Sequence, residues 1–282
     1  MTTPAGGGNR PSGSIIVAVF LIVALGGLVL LGSFTALNID KGVTEESTDI
    51  WNLYQATLVI SMIIYFGVTA GIIWAIFRFQ KGGSELPPQI HGSNVLELGW
   101  TIIPVIILVG LFIPSFIVMR DLKTPPSDDD AGLVVEVIGH QWWWEFVYCT
   151  NGDCESTSNV RIQRTPPNYD DLQPPVLVVP TGQKVKAYVR STDVVHSFYW
   201  PRSLYKLQAI PGNVNQLYFT VKSGEEGAYS GQCYQFCGLR HSDMLFIVDA
   251  RTPAEFQSWL SAERAAQGLD RVDDQATGAD KD

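Results

Sequence analysis

The apolar pattern divides the chain into two materials. Three runs, Ser14 to Leu37, Trp51 to Phe79 and Leu98 to Val118, are continuously apolar, and no ionisable side chain interrupts them until Arg78. Each holds roughly the 20 residues that a helix needs to cross a hydrocarbon core, which predicts membrane spans rather than the buried helices of a large soluble core. Trp51 and Tyr54 at one end of the second run and Trp74, Phe77 and Phe79 at the other suit headgroup level. Pro104 and Pro114 in the third predict that it packs against protein, which would satisfy the freed backbone groups.

Beyond the Pro-, Asp- and Gly-rich linker "KTPPSDDDAG" the pattern becomes short runs rich in β-branched and aromatic residues, separated by turn residues. "LVVEVIGHQWWWEFVY" reads as a first strand. "PPVLVVP", "GQKVKAYVRST", "NQLYFTVKS", "GAYSGQC" and "DMLFIVDAR" follow at short intervals, as in an all-β sandwich or barrel. "TPAEFQSWLSAERAAQG" then predicts a helix with Thr252 as N-cap, Pro253 in the first turn, Glu255 completing a capping box and Gly268 as the stop. The acidic tail after it reads as disordered.

The expected organisation is an N-terminal hydrophobic segment at 1–40, a transmembrane hairpin at 41–122, a sandwich domain at 123–252, and a helix with acidic tail at 253–282. Arg78, Lys81 and His91 lie in the link between the second and third runs, whereas "NIDKGVTEESTD" before them is mostly acidic. Positive charge stays inside, so everything after Arg120 is expected outside the cytoplasm. The first run reads as a retained span or a removed leader. Its length, its single basic residue Arg10 and the poor cleavage site "SFTALN" favour the span.

A net charge of −9 argues against a nucleic-acid partner and suits a basic protein partner. Asp193, Glu145 and Glu155 are candidate steering charges for such a partner. Cys149 and Cys154 bracket "TNGD", whose Asn-Gly is a hairpin-turn signal, so a disulfide and two free loop thiols both remain open.

The chemistry concentrates in "GQCYQFCGLRHSDM", residues 231–244. A second disulfide would account for Cys233 and Cys237 but leaves His241 and Met244 unexplained. Thiolate, imidazole and thioether together form a copper set, because soft sulfur suits Cu(I) and imidazole suits Cu(II), whereas zinc has no need of methionine. One loop rarely closes a site. Of the remaining histidines, His91 falls on the cytoplasmic side and His140 in "GHQWWW" reads as structural, which leaves His196 in "STDVVHSFYWP" as the distant ligand. Two thiolates bridging two coppers would spread one electron over both metals, and a smaller change of charge at each means less rearrangement in a buried place.

"C-x3-C-x3-H-x2-M" with "DVVHSFYWP", "AIPG", "HGSNVLELGWTIIP" and "GHQWWWEF" resembles subunit 2 of the haem-copper cytochrome c oxidases. The resemblance implies a cupredoxin-like sandwich after a helical hairpin, in a multi-pass protein of the bacterial cell membrane with its metal domain on the outer face. It implies a binuclear copper centre (CuA) held by His196, Cys233, Cys237, His241, Met244 and the backbone carbonyl of Gln235. Trp142 matches the aromatic through which electrons enter from cytochrome c or a similar donor, and Glu97 the carboxylate at the mouth of a proton channel. Implied partners are subunit 1, with haem a, haem a3 and CuB, subunit 3, the donor and the lipid membrane. Two residues depart from the pattern. Gln235 stands where a Glu helps hold magnesium at the subunit 1 interface, which puts that site in doubt; Gln208 replaces an Asp.

Other readings are a CuA-bearing electron-input subunit of a nitric oxide reductase and a membrane-anchored copper chaperone. The chaperone would show one span and a thioredoxin-like βαβ rhythm, without His241 or Met244. No "CxxCH" occurs, so the donor haem must come from another protein.

Overall fold

The computed structural model describes residues 40–79, 92–124, 127–163 and 173–269. The first apolar run, Lys81 and His91 of the second link, and the acidic tail lie outside the described residues. Two long helices come first, α1 (Glu45–Phe79) and α2 (Asn94–Leu122), each with length and composition sufficient to cross a bilayer. No residue of α2 is buried, and Ile106, Leu108 and Phe112 are among its exposed side chains. Leaving one such side chain in water forgoes about 1.5–3 kcal/mol. A helix apolar all round therefore needs lipid or protein about it. α2 runs unbroken through Pro104 and Pro114.

The chain divides into two compact units, one of 1–40 and 53–113 and one of 41–52 and 114–282. In the second, the segment entering α1 is stitched into the β structure. Val43 is fully buried, its N–H donates to the Arg202 carbonyl at 2.9 Å, and its own carbonyl accepts from Lys222 N–H at 2.9 Å. The Thr44 hydroxyl accepts from Ser47 N–H, capping the helix, and the Glu46 carboxylate accepts from Thr220 N–H at 2.9 Å.

The β structure is a sandwich of two five-stranded sheets. One has the order β3 (Val160–Gln163), β2 (Trp143–Tyr148), β1 (Leu133–His140), β5 (Lys184–Ser191), β8 (Asn215–Thr220). The other has β4 (Val176–Pro180), β10 (Leu245–Arg251), β9 (Gly227–Cys233), β6 (His196–Tyr199), β7 (Lys206–Ala209). Only β1 with β5 and β4 with β10 pair in parallel among these strands.

The segment read as one first strand is a hairpin. β1 and β2 pair antiparallel with His140 opposite Trp143, and the chain reverses at Gln141–Trp142, whose peptide bond is cis. The reason is parity. In one continuous strand Val135 and Val137 would share a face with Trp143 and Glu145, leaving Trp144 and Phe146 on the other. Reversal over two residues puts Val135, Val137, Trp144, Phe146 and Tyr148 into one core.

That core is an aromatic layer between the sheets. Phe198 stacks on Phe246 with centroids 4.5 Å apart, and the Trp144 ring meets both edge-on at 5.7 and 5.8 Å. A side chain at Gly231 would lie 2.2 Å from the Phe246 ring, so only glycine lets β9 pass that close. The Tyr148 hydroxyl donates to the Val178 carbonyl and accepts from its N–H, tying β2 to β4. α3 (Pro253–Ala266) begins with the expected Thr252–Glu255 capping box, and Gly268 follows it at φ 71°. Cys149 and Cys154 form a disulfide with Cα atoms 4.3 Å apart, across a turn in which Asn151 and Gly152 take positive φ. Of the two possibilities left open, the bridge is the one adopted.

Candidate metal centre

β-sheet register brings the distant histidine to the sulfur loop. β6 pairs with β9, placing Phe198 opposite Cys233, so His196 at the start of β6 lies beside the last residue of β9. The loop leaves β9 at Cys233, makes a 3-10 turn over His241–Asp243 and enters β10 after Met244. Cys233 N–H donates to the Met244 carbonyl at 3.0 Å and closes the loop at its base. Tyr234 N–H donates to Ser197 O at 3.1 Å, fastening it to β6.

Two thiols stand at the middle. Sγ of Cys233 and Sγ of Cys237 are 3.9 Å apart. Nδ1 of His196 lies 3.8 Å from the first sulfur, and Nδ1 of His241 lies 3.5 Å from the second. Met244 Sδ is 3.8 Å from Cys237 Sγ, and the Gln235 carbonyl oxygen is 3.2 Å from Cys233 Sγ. His196 and Met244 are fully buried and both cysteines nearly so; His241 is partly exposed. The ligand atoms of His196, Cys233 and Cys237 all fall within 4.8 Å of one another.

Burial, followed by the charge of Cys233 beside it, pushes the Cys237 thiol up to about 12. Two buried thiolates side by side would need a cation between them, and soft sulfur with imidazole and thioether would suit copper. Burial lowers the His196 pKa more than Asp193 raises it, which favours the neutral ring. Burial by itself would raise the Asp193 pKa. Hydrogen bonds from His196, Val194 N–H and Gln141 N–H outweigh it and hold that carboxylate below its usual range.

Asp193 is exposed, as a surface charge would be, and has a contact that the sequence does not reveal: it sets its Oδ1 2.8 Å from His196 Nε2, so Nε2–H is the donor and Nδ1 keeps its lone pair toward the sulfurs. The available signal was an Asp three residues before the candidate histidine. Glu145 is not a free surface charge: it is nearly buried between His140 Nε2 at 3.2 Å and Arg161 Nη1 at 2.9 Å. Glu155 is exposed. His140 is structural as expected, stacked on Trp143 at 4.0 Å and bonded to Thr192 Oγ1 at 2.8 Å.

Trp142 stands against the cluster, its indole N–H donating to the Cys237 carbonyl at 3.2 Å. Trp144 supplies the core packing instead. Glu97 is exposed in the first turn of α2. Gln208 sits on β7 with its carbonyl accepting from the Asn215 side-chain amide; nothing in the structure explains its replacement of Asp.

A sandwich with buried sulfur and imidazole donors gathered at one end, in a chain with two membrane-length helices, is a cupredoxin-type metal domain of a membrane protein. Residues 133–251 match the family model for the periplasmic domain of cytochrome c oxidase subunit II, and residues 32–118 match the model for its transmembrane domain. A cytochrome c oxidase subunit 2 of Cereibacter sphaeroides is 30% identical over 245 residues, covering 80% of this chain and 79% of that protein. A probable cytochrome c oxidase subunit 2 of Rickettsia bellii is 27% identical over 263 residues, 88% of this chain and 95% of that one. The crystal structure of the periplasmic domain of subunit II of the Bradyrhizobium japonicum cytochrome oxidase is similar over 51% of this chain and 99% of its own, with 28% identity and a TM-score of 0.42. The chain belongs to the cytochrome c oxidase subunit 2 family.

Proposed function

We propose that this chain is the electron-entry subunit of a cytochrome c oxidase, taking electrons from cytochrome c or a similar donor at the outer face of a bacterial cell membrane and delivering them to haem a of subunit 1. Family membership supports the oxidase; the observation that carries the role is the pair of buried thiols 3.9 Å apart with an imidazole Nδ1 beside each. His196, Cys233, Cys237, His241, Met244 and the Gln235 carbonyl would hold a binuclear copper centre. Such a centre supplies one-electron storage shared between two metals.

The remaining contribution is the protein's own. Asp193 fixes the tautomer and orientation of His196. Trp144, Phe198 and Phe246 keep water from the inner side of the cluster, and few dipoles are left there to reorient when its charge changes. Trp142, bonded to the Cys237 carbonyl, is the entry point for the electron. Glu97 in the first turn of α2, where the helix dipole favours a carboxylate, would stand at the mouth of a proton channel shared with subunit 1. The neutral side chain of Gln235 offers no carboxylate to a magnesium ion.

Metal analysis and electron paramagnetic resonance on the purified oxidase test the reading. Two coppers in this subunit, with the unpaired electron delocalised over both, are the expected result. Zinc, or a single cupric signal confined to one metal, would refute it.

A further inference from the structure

The turn between β1 and β2 is bonded to both segments that carry the cluster, and one residue makes the connection. Gln141 N–H donates to Asp193 Oδ2 at 2.7 Å, while the other oxygen of that carboxylate accepts from His196 at 2.8 Å. The side-chain amide of Gln141 donates to the Cys237 carbonyl at 2.8 Å, and the same carbonyl accepts the Trp142 indole N–H at 3.2 Å. A carbonyl offers two lone pairs, and these two donors take both. The approach is close: a side chain at Gly238, where φ is +121°, would lie 3.1 Å from Trp142 Nε1 and 3.2 Å from Gln141 Nε2.

We propose that Gln141 is a positioning residue that locks Trp142 against Cys237, and so sets how fast an electron passes from the donor to the thiol-held centre. The proposal rests on the reading of Trp142 as the entry point. The step moves one electron: the donor is oxidised by one equivalent, the copper pair is reduced by one, and no bond or proton is exchanged. Trp142 is only partly buried, and its turn projects past the paired ends of β1 and β2. Without the Gln141 amide, the indole N–H alone among the described donors would hold the turn to the Cys237 carbonyl, and play between the ring and the thiol-held centre would slow the transfer.

The test uses the purified oxidase carrying Gln141→Leu or Gln141→Glu, with Trp142→Phe in parallel. Gln141→Glu keeps the side-chain shape while removing the amide donor, so it carries the test if the Leu variant fails to assemble. Stopped-flow oxidation of a reduced soluble c-type cytochrome gives the limiting rate and the half-saturating donor concentration. Hydrogen exchange over residues 139–146 reports the order of the turn, and the copper resonance spectrum reports the ligands. Expected are a several-fold lower limiting rate, an unchanged half-saturating concentration, faster exchange in the turn and an unchanged spectrum. A wild-type limiting rate, or a change confined to the half-saturating concentration, overturns the positioning role while a slow Trp142→Phe leaves the entry point standing. A wild-type rate in Trp142→Phe sinks the entry point and the positioning role together.

Discussion

Replacing Gly139 by alanine should disturb the metal centre through a single methyl group. The added Cβ would meet His196 Cδ2 at 2.8 Å, Cγ at 3.1 Å and Cβ at 3.3 Å. Carbon atoms rest at about 3.5–4.0 Å, so something must move by roughly 0.7–1.2 Å. β1 cannot yield readily, because Gly139 pairs with Trp144 of β2 on one side and Ser191 of β5 on the other. The His196 ring must move instead, although it is fully buried, meets Trp144 edge-on at 5.9 Å and is held by Asp193. Overpacking of this kind costs about 1–3 kcal/mol. At about 2–4 °C per kcal/mol for a domain of this size, the melting temperature of the assembled subunit should fall by roughly 2–12 °C. Because the displaced group is a proposed ligand, the copper resonance spectrum should change as well, most plainly in the splittings from the ligand nitrogens. Differential scanning calorimetry and the resonance spectrum of Gly139→Ala decide the matter. An unchanged spectrum with wild-type melting would show that the ring is not wedged against β1.

Two further outcomes follow from groups away from the donor atoms. The Glu145 pKa is lowered from the ordinary 4.5, first by its hydrogen bond to His140 and then, against burial, by Arg161. Its stabilising contribution is therefore complete above pH 4.5 and is lost as the pH falls through the depressed folded-state value. Glu145→Gln should flatten that acid limb in an unfolding titration, and an unchanged limb would place the acid sensitivity elsewhere. Replacing Cys149 and Cys154 together by serine opens a loop whose ends are 5 positions apart in sequence, and should cost about 2 kcal/mol, read as a lower melting temperature with an unaltered copper spectrum. A spectral change would reveal a connection between that hairpin and the metal loop.

Local sequence determined much of this protein, wherever the deciding interactions are short in range. Continuous apolar runs imply helices for lipid, because a polar backbone in hydrocarbon must satisfy itself within one segment. The Thr252–Glu255 cap was legible because both of its bonds span three residues. Cys233, Cys237, His241 and Met244 were legible as one donor set because they share one loop. Tertiary structure decided whatever depends on pairing. The parity of Val137 against Trp144 is settled by which face meets the second sheet, and a strand pattern read alone carries no record of the reversal at Gln141 and Trp142. His196 reaches the sulfurs through the β6–β9 register, and Asp193 and Gln141 act through bonds of 2.8 Å or less to side chains and carbonyls that only the folded sandwich brings near. Sequence names the donor atoms because chemistry resides in residue type; distance and hydrogen-bond direction, which tune them, arise only when separate strands are packed together.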